Sequence, residues 1–283
     1  MSALALTLSE RAAKLVLYLR YPFVQNALIV SALVALSAAL LGVFLTLKRF
    51  SAIGDGLSHV AFGAAAIAAV FDIFDLSFTL PVTIIAAVII LNAGSGRRTM
   101  GDAAIAMLST GALAVGYTVL NLFGGSANLG GDVCSALFGS AAMLTLTKSD
   151  VMLALGVTAA LVILIIIFYY KLLSVTFDES FSKATGTRTG AYNLAIAIVC
   201  ATVIVMGMKL AGALLISALI VFPALSAMRL FKGFASVLVT SGIIAVVGAT
   251  LGVLVSILLE TPVGATIAAV DVVAYGLCCL VRK

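Results

Sequence analysis

Nine stretches of this chain read as bilayer crossings, and that limits its fold more than any other feature. They cover about 23–47, 57–73, 81–93, 102–123, 150–170, 191–208, 210–228, 234–258 and 264–281. A helix needs about 20 apolar residues to cross the hydrocarbon layer. Lipid offers the backbone no hydrogen-bond partners, so only helices and closed barrels span it. Nothing here resembles the short alternating segments of a barrel. The expected fold is an all-α polytopic membrane protein. It has about eight to nine transmembrane helices and a short cytoplasmic helix, in a single domain over residues 1–283. Composition agrees: 10% of the residues are charged, against about a quarter in a soluble domain.

The segments between the runs set the expected topology. Lys48-Arg49, the Gly94-Ser95-Gly96-Arg97-Arg98 turn and the terminal Arg282-Lys283 are basic, which marks cytoplasmic ends. Asp72 and Asp75 sit at an outer end, and Gly124–Gly131 is an outer loop. Residues 1–20 carry apolar residues spaced among Glu10, Arg11, Lys14 and Arg20. That spacing predicts an amphipathic helix at the interface, broken at Tyr21-Pro22. An odd number of spans leaves those N-terminal cations outside, against the usual bias. Residues 132–148 are weakly apolar and read as a broken or re-entrant segment. Pro81 is expected to open the third span. No cleaved signal peptide is expected.

The net charge of +5 lies at the ends of apolar runs, so it reports topology, and no nucleic-acid partner is expected. Cys134, Cys200, Cys278 and Cys279 show no metal-type spacing and read as free thiols. Gly248 and Gly252 form a GxxxG step that lets helices approach closely.

Ionisable residues inside such a chain carry the functional signal. Asp55 and the sole histidine, His59, stand at i and i+4, so on a helix they share one face. A carboxylate and a neutral imidazole placed that way suit a divalent cation, with Ser58 nearby. The alternative is that Asp55 caps a helix N-terminus while His59 packs or pairs locally. Asp271, in the middle of the last run, and Glu260, at an outer turn, are weaker cation candidates. The bland reading of Asp271 is a carboxyl hydrogen-bonded to a neighbouring helix or protonated. Lys209 sits at an outer end, where it can snorkel.

The longest polar stretch, Ser174–Gly190, reads SVTFDESFSKATGTRTG. Phe177 and Phe181 are one turn apart beside Asp178, Glu179 and Lys183, and Ala184 and Gly186 end the helix. This is either a solvated loop or a knob for a partner's groove. Motifs for catalysis are missing: the sequence has no HExxH, no GxSxG and no Walker A lysine. Catalysis by this chain is therefore not expected, and no bound cofactor is expected.

Four stretches, taken in order, resemble one family: the membrane permeases of zinc, manganese and iron ABC importers. They are GVFLTLKRFSAIGDGLSH from Gly42, ALFGSAAMLTLTKSD from Ala136, SVTFDESFSKATGTRTG from Ser174 and GALLISALIVFPALSAMRL from Gly212. The similarity runs from about residue 20 to near the end. It implies a homodimer in the bacterial cytoplasmic membrane, in contact with lipid. A pair of cytoplasmic ABC ATPases would use the ATP, and an extracytoplasmic metal-binding protein would deliver the ion. Asp55 and His59 fall on the family's signature acid and histidine, which implies a place on the cation path. Asp178, Phe181, Ala184 and Gly186 fall on the ATPase-contacting segment, where Phe177 and Glu179 also lie. Pro223 falls on the proline of the seventh-span motif. There are departures. Phe62-Gly63 replaces a Leu-Pro-Gly, Ser140 stands where the family has an acid, and extra histidines are absent. Zinc is placed first as the transported ion and manganese next. The competing reading is a stand-alone, ion-coupled secondary metal transporter with Asp55, His59 and Asp271 relaying protons. An internal repeat would support that reading, and the sequence shows none. An intramembrane enzyme lacks its constellation of groups.

Overall fold

The computed structural model describes residues 17–73, 75–93, 98–123 and 146–281. Regular structure in these residues is helical. In order the helices are α1 (Pro22–Leu47), α2 (Ile53–Val70), α3 (Asp75–Ala93), α4 (Arg98–Phe123), α5 (Lys148–Phe177), α6 (Glu179–Ala184), α7 (Thr189–Ala211), α8 (Ala213–Leu230), α9 (Phe234–Leu259) and α10 (Val263–Val281). All but α6 have 18 residues or more, and seven are both long and apolar enough to cross a membrane. The chain is a multi-pass helical membrane protein. Most of the expected N-terminal amphipathic helix lies outside the described residues. So do Cys134, Ser140 and nearly all of the expected re-entrant segment.

Helix α1 is the spine. Its 26 residues rise about 39 Å, and it starts at Pro22, where a missing N–H costs nothing because the first turn has no acceptor for it. Its Ala, Val and Ser side chains let neighbours approach: Ala35, Ala38, Ala39 and Val43 have no exposed surface. It packs against α5, α7, α8 and α9. Helix α2 packs on α3, α4 and α8, and α10 closes the far side against α8 and α9.

Several boundaries differ from the sequence reading. Helix α2 starts at Ile53, four residues early, because Ile53 is fully buried and pulls the first turn into the core. Pro81 does not open α3; it is the seventh residue of that helix. A membrane helix tolerates an interior proline; two residues further on, the Thr83 hydroxyl donates to the Thr79 carbonyl at 2.7 Å and so satisfies itself within the helix. Helix α5 begins at Lys148 because Thr147 and Asp150 form a reciprocal capping box. It then runs on to Phe177, so Ser174 to Phe177 are the end of a span rather than a loop. The Thr176 hydroxyl donates to the Leu172 carbonyl at 2.6 Å, which satisfies a polar residue inside that last turn. Between α7 and α8 a single residue reverses the chain. Gly212 has φ +88°, a conformation open to glycine and costly for others.

The bundle has two unlike ends. One holds the α1–α2 turn, the end of α5, α6, and the starts of α7 and α9. Phe234 joins them by packing edge-on to Phe44 and Phe177. Lys48, Arg49, Lys183, Arg188, Arg229 and Lys232 gather there. The other end holds Asp72, Asp150 and Glu260, with Arg20 and Lys148. The excess of cations orients the first end to the cytoplasm. Arg20 remains at the outer end, as the odd span count requires.

Candidate functional site

Asp55 is the third residue of α2, and His59 is one turn deeper. His59 Nε2 lies 3.5 Å from Asp55 Oδ1. The helix is N-capped by Ala52 without a side-chain bond, so Asp55 does not act as the cap. Its negative charge still complements the positive helix start. The Asp55 side chain is 52% exposed and that of His59 only 18%. His59 Nδ1 is buried and has no partner among the described residues. The imidazole therefore presents Nε2 toward the carboxylate and the open side, where a cation could sit.

The structure changes the supporting cast. Ser58 is fully buried, and its hydroxyl donates to the Asp55 backbone carbonyl at 2.8 Å, so it faces away from the pair. Ser217 of α8 takes its place: its hydroxyl reaches Asp55 Oδ1 at 3.4 Å. Sequence reasoning missed Ser217 because it is 162 positions away. The available signal was its place in the GALLISALIVFP stretch. The other candidates lie elsewhere. Asp271 is 1% exposed, with both carboxyl oxygens unpartnered among the described residues. Glu260 is the left-handed residue that ends α9 at the outer end. No group of three or more His, Cys, Asp or Glu side chains gathers among the described residues.

The polar segment at the cytoplasmic end is built differently from its sequence pattern. Phe177 ends α5 and Phe181 belongs to α6; Asp178 separates them with extended backbone. The Asp178 carboxylate accepts from the Phe181 backbone N–H at 2.8 Å and so caps α6. Both rings remain outward, 65% and 62% exposed. Ser182 anchors the other face: it is fully buried and shares a 2.7 Å hydrogen bond with Ser174. Ala184 is exposed, and Gly186 turns the chain away at φ +81°. On the inner side, Lys48 donates to Asn193 Oδ1. Glu179 pairs with Lys183 at 2.8 Å, and the Asn193 amide lies near enough to favour its ionised form.

The comparisons with known proteins cover the whole bundle. The profile described as the ABC 3 transport family matches residues 20–282. The chain belongs to that family. Among curated relatives of this ABC 3 chain, a manganese transport system membrane protein of Halalkalibacterium halodurans is 26% identical over 92% of the chain and 87% of its own length. The zinc uptake system membrane protein of Buchnera aphidicola is 25% identical over 83% of the chain and 88% of its own length. Among solved structures, the PsaBC complex of Streptococcus pneumoniae with a Fab superposes at a TM-score of 0.82. The identity there is 25%, over 98% of this chain and 97% of that one.

Proposed function

We propose that this chain is the permease subunit of an ATP-binding-cassette importer for a divalent transition-metal ion. The observation that carries this reading is the Asp55–His59 pair at the cytoplasmic end of α2, in a chain of the ABC 3 transport family. The carboxylate supplies charge, and Nε2 of the imidazole supplies a directional lone pair. Ser217 on α8 can add an oxygen. Two or three ligands that also contact each other hold an ion weakly, and a path must release what it binds.

A second copy of the chain fits the same reading. A half-exposed carboxylate in an apolar bundle is costly if it faces lipid. A homodimer that pairs the two α2 starts would turn that exposure into an aqueous, acid-lined path. The partner ATPase would seat around α6, where Phe181 and, from the end of α5, Phe177 project, and would supply the ATP hydrolysis. The extracytoplasmic metal-binding protein would meet the acidic outer end. Imidazole suits zinc and carboxylate suits manganese. The sequence reading put zinc first; relatives carry names of both metals, and those names do not support that order.

The test is uptake of radioactive zinc and manganese by the permease reconstituted with its ATPase. Asp55→Asn and His59→Ala should each lower uptake sharply at unchanged protein abundance. Wild-type uptake in both variants would remove the pair from the path. ATP-independent uptake driven by an ion gradient would favour the stand-alone carrier instead.

A further inference from the structure

Three side chains on three elements join α6 to the turn that opens α2. Lys48 closes α1, and its ammonium turns inward to Asn193 Oδ1 on α7. A lysine at a membrane interface ordinarily extends to water; this one is largely buried, and desolvation lowers its affinity for a proton. Asn193 is 5% exposed. Its amide oxygen accepts from Lys48, and the Glu179 carboxylate on α6 lies close enough for the Asn193 amide and the Lys48 charge to favour its ionised form.

Both ends of this chain of contacts are stiff. The α1–α2 turn is closed by consecutive backbone bonds: Lys48 N to Phe44 O, Arg49 N to Thr46 O, Phe50 N to Leu45 O, and Ile53 N to Phe50 O. Little slack separates Lys48 from the first turn of α2. At the other end, the Ser174–Ser182 bond ties α6 to the last turn of α5. Helix α5 itself is interrupted at Phe168, where φ is −103° and ψ is 16°. The segment after Phe168 and α6 can therefore shift as one piece.

We infer that Lys48, Asn193 and Glu179 form a strut through which displacement of α6 moves the start of α2, and with it Asp55 relative to Ser217. Lys48 and Asn193 are then positioning residues for transport. They touch neither the ion nor the ATPase. The inference rests on the proposed roles of α6 and of the Asp55–His59 pair.

The test uses the complete complex in proteoliposomes, with metal uptake and ATP hydrolysis measured in the same vesicles. Lys48→Met keeps the apolar stem and removes the charge; Asn193→Leu removes the amide that lies between Lys48 and Glu179. Each should leave ATP hydrolysis running while the metal moved per ATP falls about tenfold, mid-range for an energetic coupling between sites. Lys48→Arg, which can still donate to Asn193, should restore most of the ratio and show that loss is not misfolding. Combining Lys48→Met with Glu179→Gln should be no worse than the poorer single variant, because both break one connection. The ratio is read only in complexes that retain the ATPase in wild-type amount. Failure of the α6 docking role, which is seen as unchanged ATPase retention in Phe181→Ala, is thus scored separately. A wild-type ratio in Lys48→Met and Asn193→Leu, or fully additive losses in the double variant, would overturn the strut.

Discussion

The carboxyl group of Asp271 occupies the space where a side chain on Gly248 would stand. A Cβ built on Gly248 collides with Asp271 Oδ1. The Asp271 carboxyl of α10 can rest against α9 at this level because Gly248 presents hydrogen there. Gly248→Ala should therefore displace the buried Asp271 carboxyl and cost about 1–3 kcal/mol, the usual scale for overpacking. Thermal unfolding in detergent measures this. Asp271→Ala introduced into the Gly248→Ala chain should recover most of the loss. If the double variant melts no higher than Gly248→Ala alone, the collision is not the cause.

Arg49 adopts a left-handed backbone, with φ +66°, directly after α1. The Phe50 N–H reaches back to the Leu45 carbonyl in the manner of a Schellman turn. Glycine is the usual residue at that position, and a side chain there costs about 1–2 kcal/mol. Arg49→Gly should raise the melting temperature and Arg49→Val should lower it. Equal shifts from both would mean the charge of Arg49, not its backbone, matters.

Phe181 stands outward on α6 with its backbone N–H tied to Asp178. If it anchors the ATPase, Phe181→Ala should weaken co-purification by an amount typical of an interface hot spot, about 2–4 kcal/mol. The permease itself should melt unchanged, since the ring contributes little to the core. Phe177→Ala should cost some stability as well, because that ring also packs against Phe234.

The pH response of α6 follows from Glu179. Burial alone would raise its carboxyl, but the hydrogen-bonded Lys183, the nearby Asn193 amide and the charges of Lys183 and Lys48 outweigh burial and hold it below the ordinary 4.5. A carboxylate with a depressed folded value contributes stability that is present above 4.5 and lost as pH falls through the folded value. Lys48 has the opposite consequence. Its folded value lies below 10.5, so its burial costs stability while it is charged, and that cost is relieved as pH rises toward 10.5. Wild type should therefore lose ground to Glu179→Gln on acidification and gain on Lys48→Met on alkalinisation. Parallel melting curves across pH would contradict both.

The sequence made the span pattern legible, because a run of apolar residues needs no partner to declare itself. It also made the Asp55–His59 pairing legible, since residues four apart on one helix are neighbours by geometry. What it hid were contacts set by tertiary packing. Ser217 meets Asp55 only because α8 crosses α2, and Ser58, adjacent in sequence, turns out to be spent on a backbone carbonyl. The capping role considered for Asp55 failed because burial of Ile53 started the helix earlier. Local polarity misled at Ser174–Phe177: hydroxyls there bond within their own helix, so a polar stretch continues a span.

The position of α1 at the centre of the bundle has a consequence for synthesis. It leaves the ribosome before the helices that enclose it, α5 and α7 through α9, which are made much later. Until they arrive α1 has to reside in lipid as a solitary helix. Its serines are suited to that wait, since Ser31 donates to the Leu28 carbonyl and Ser37 to the Leu33 carbonyl on the same helix. Only later does Ser37 also meet Thr158 of α5, at 2.8 Å. Helix α1 thus gains its neighbours only after much of the later chain is made, and truncation of the C-terminal helices should leave it inserted but unassembled.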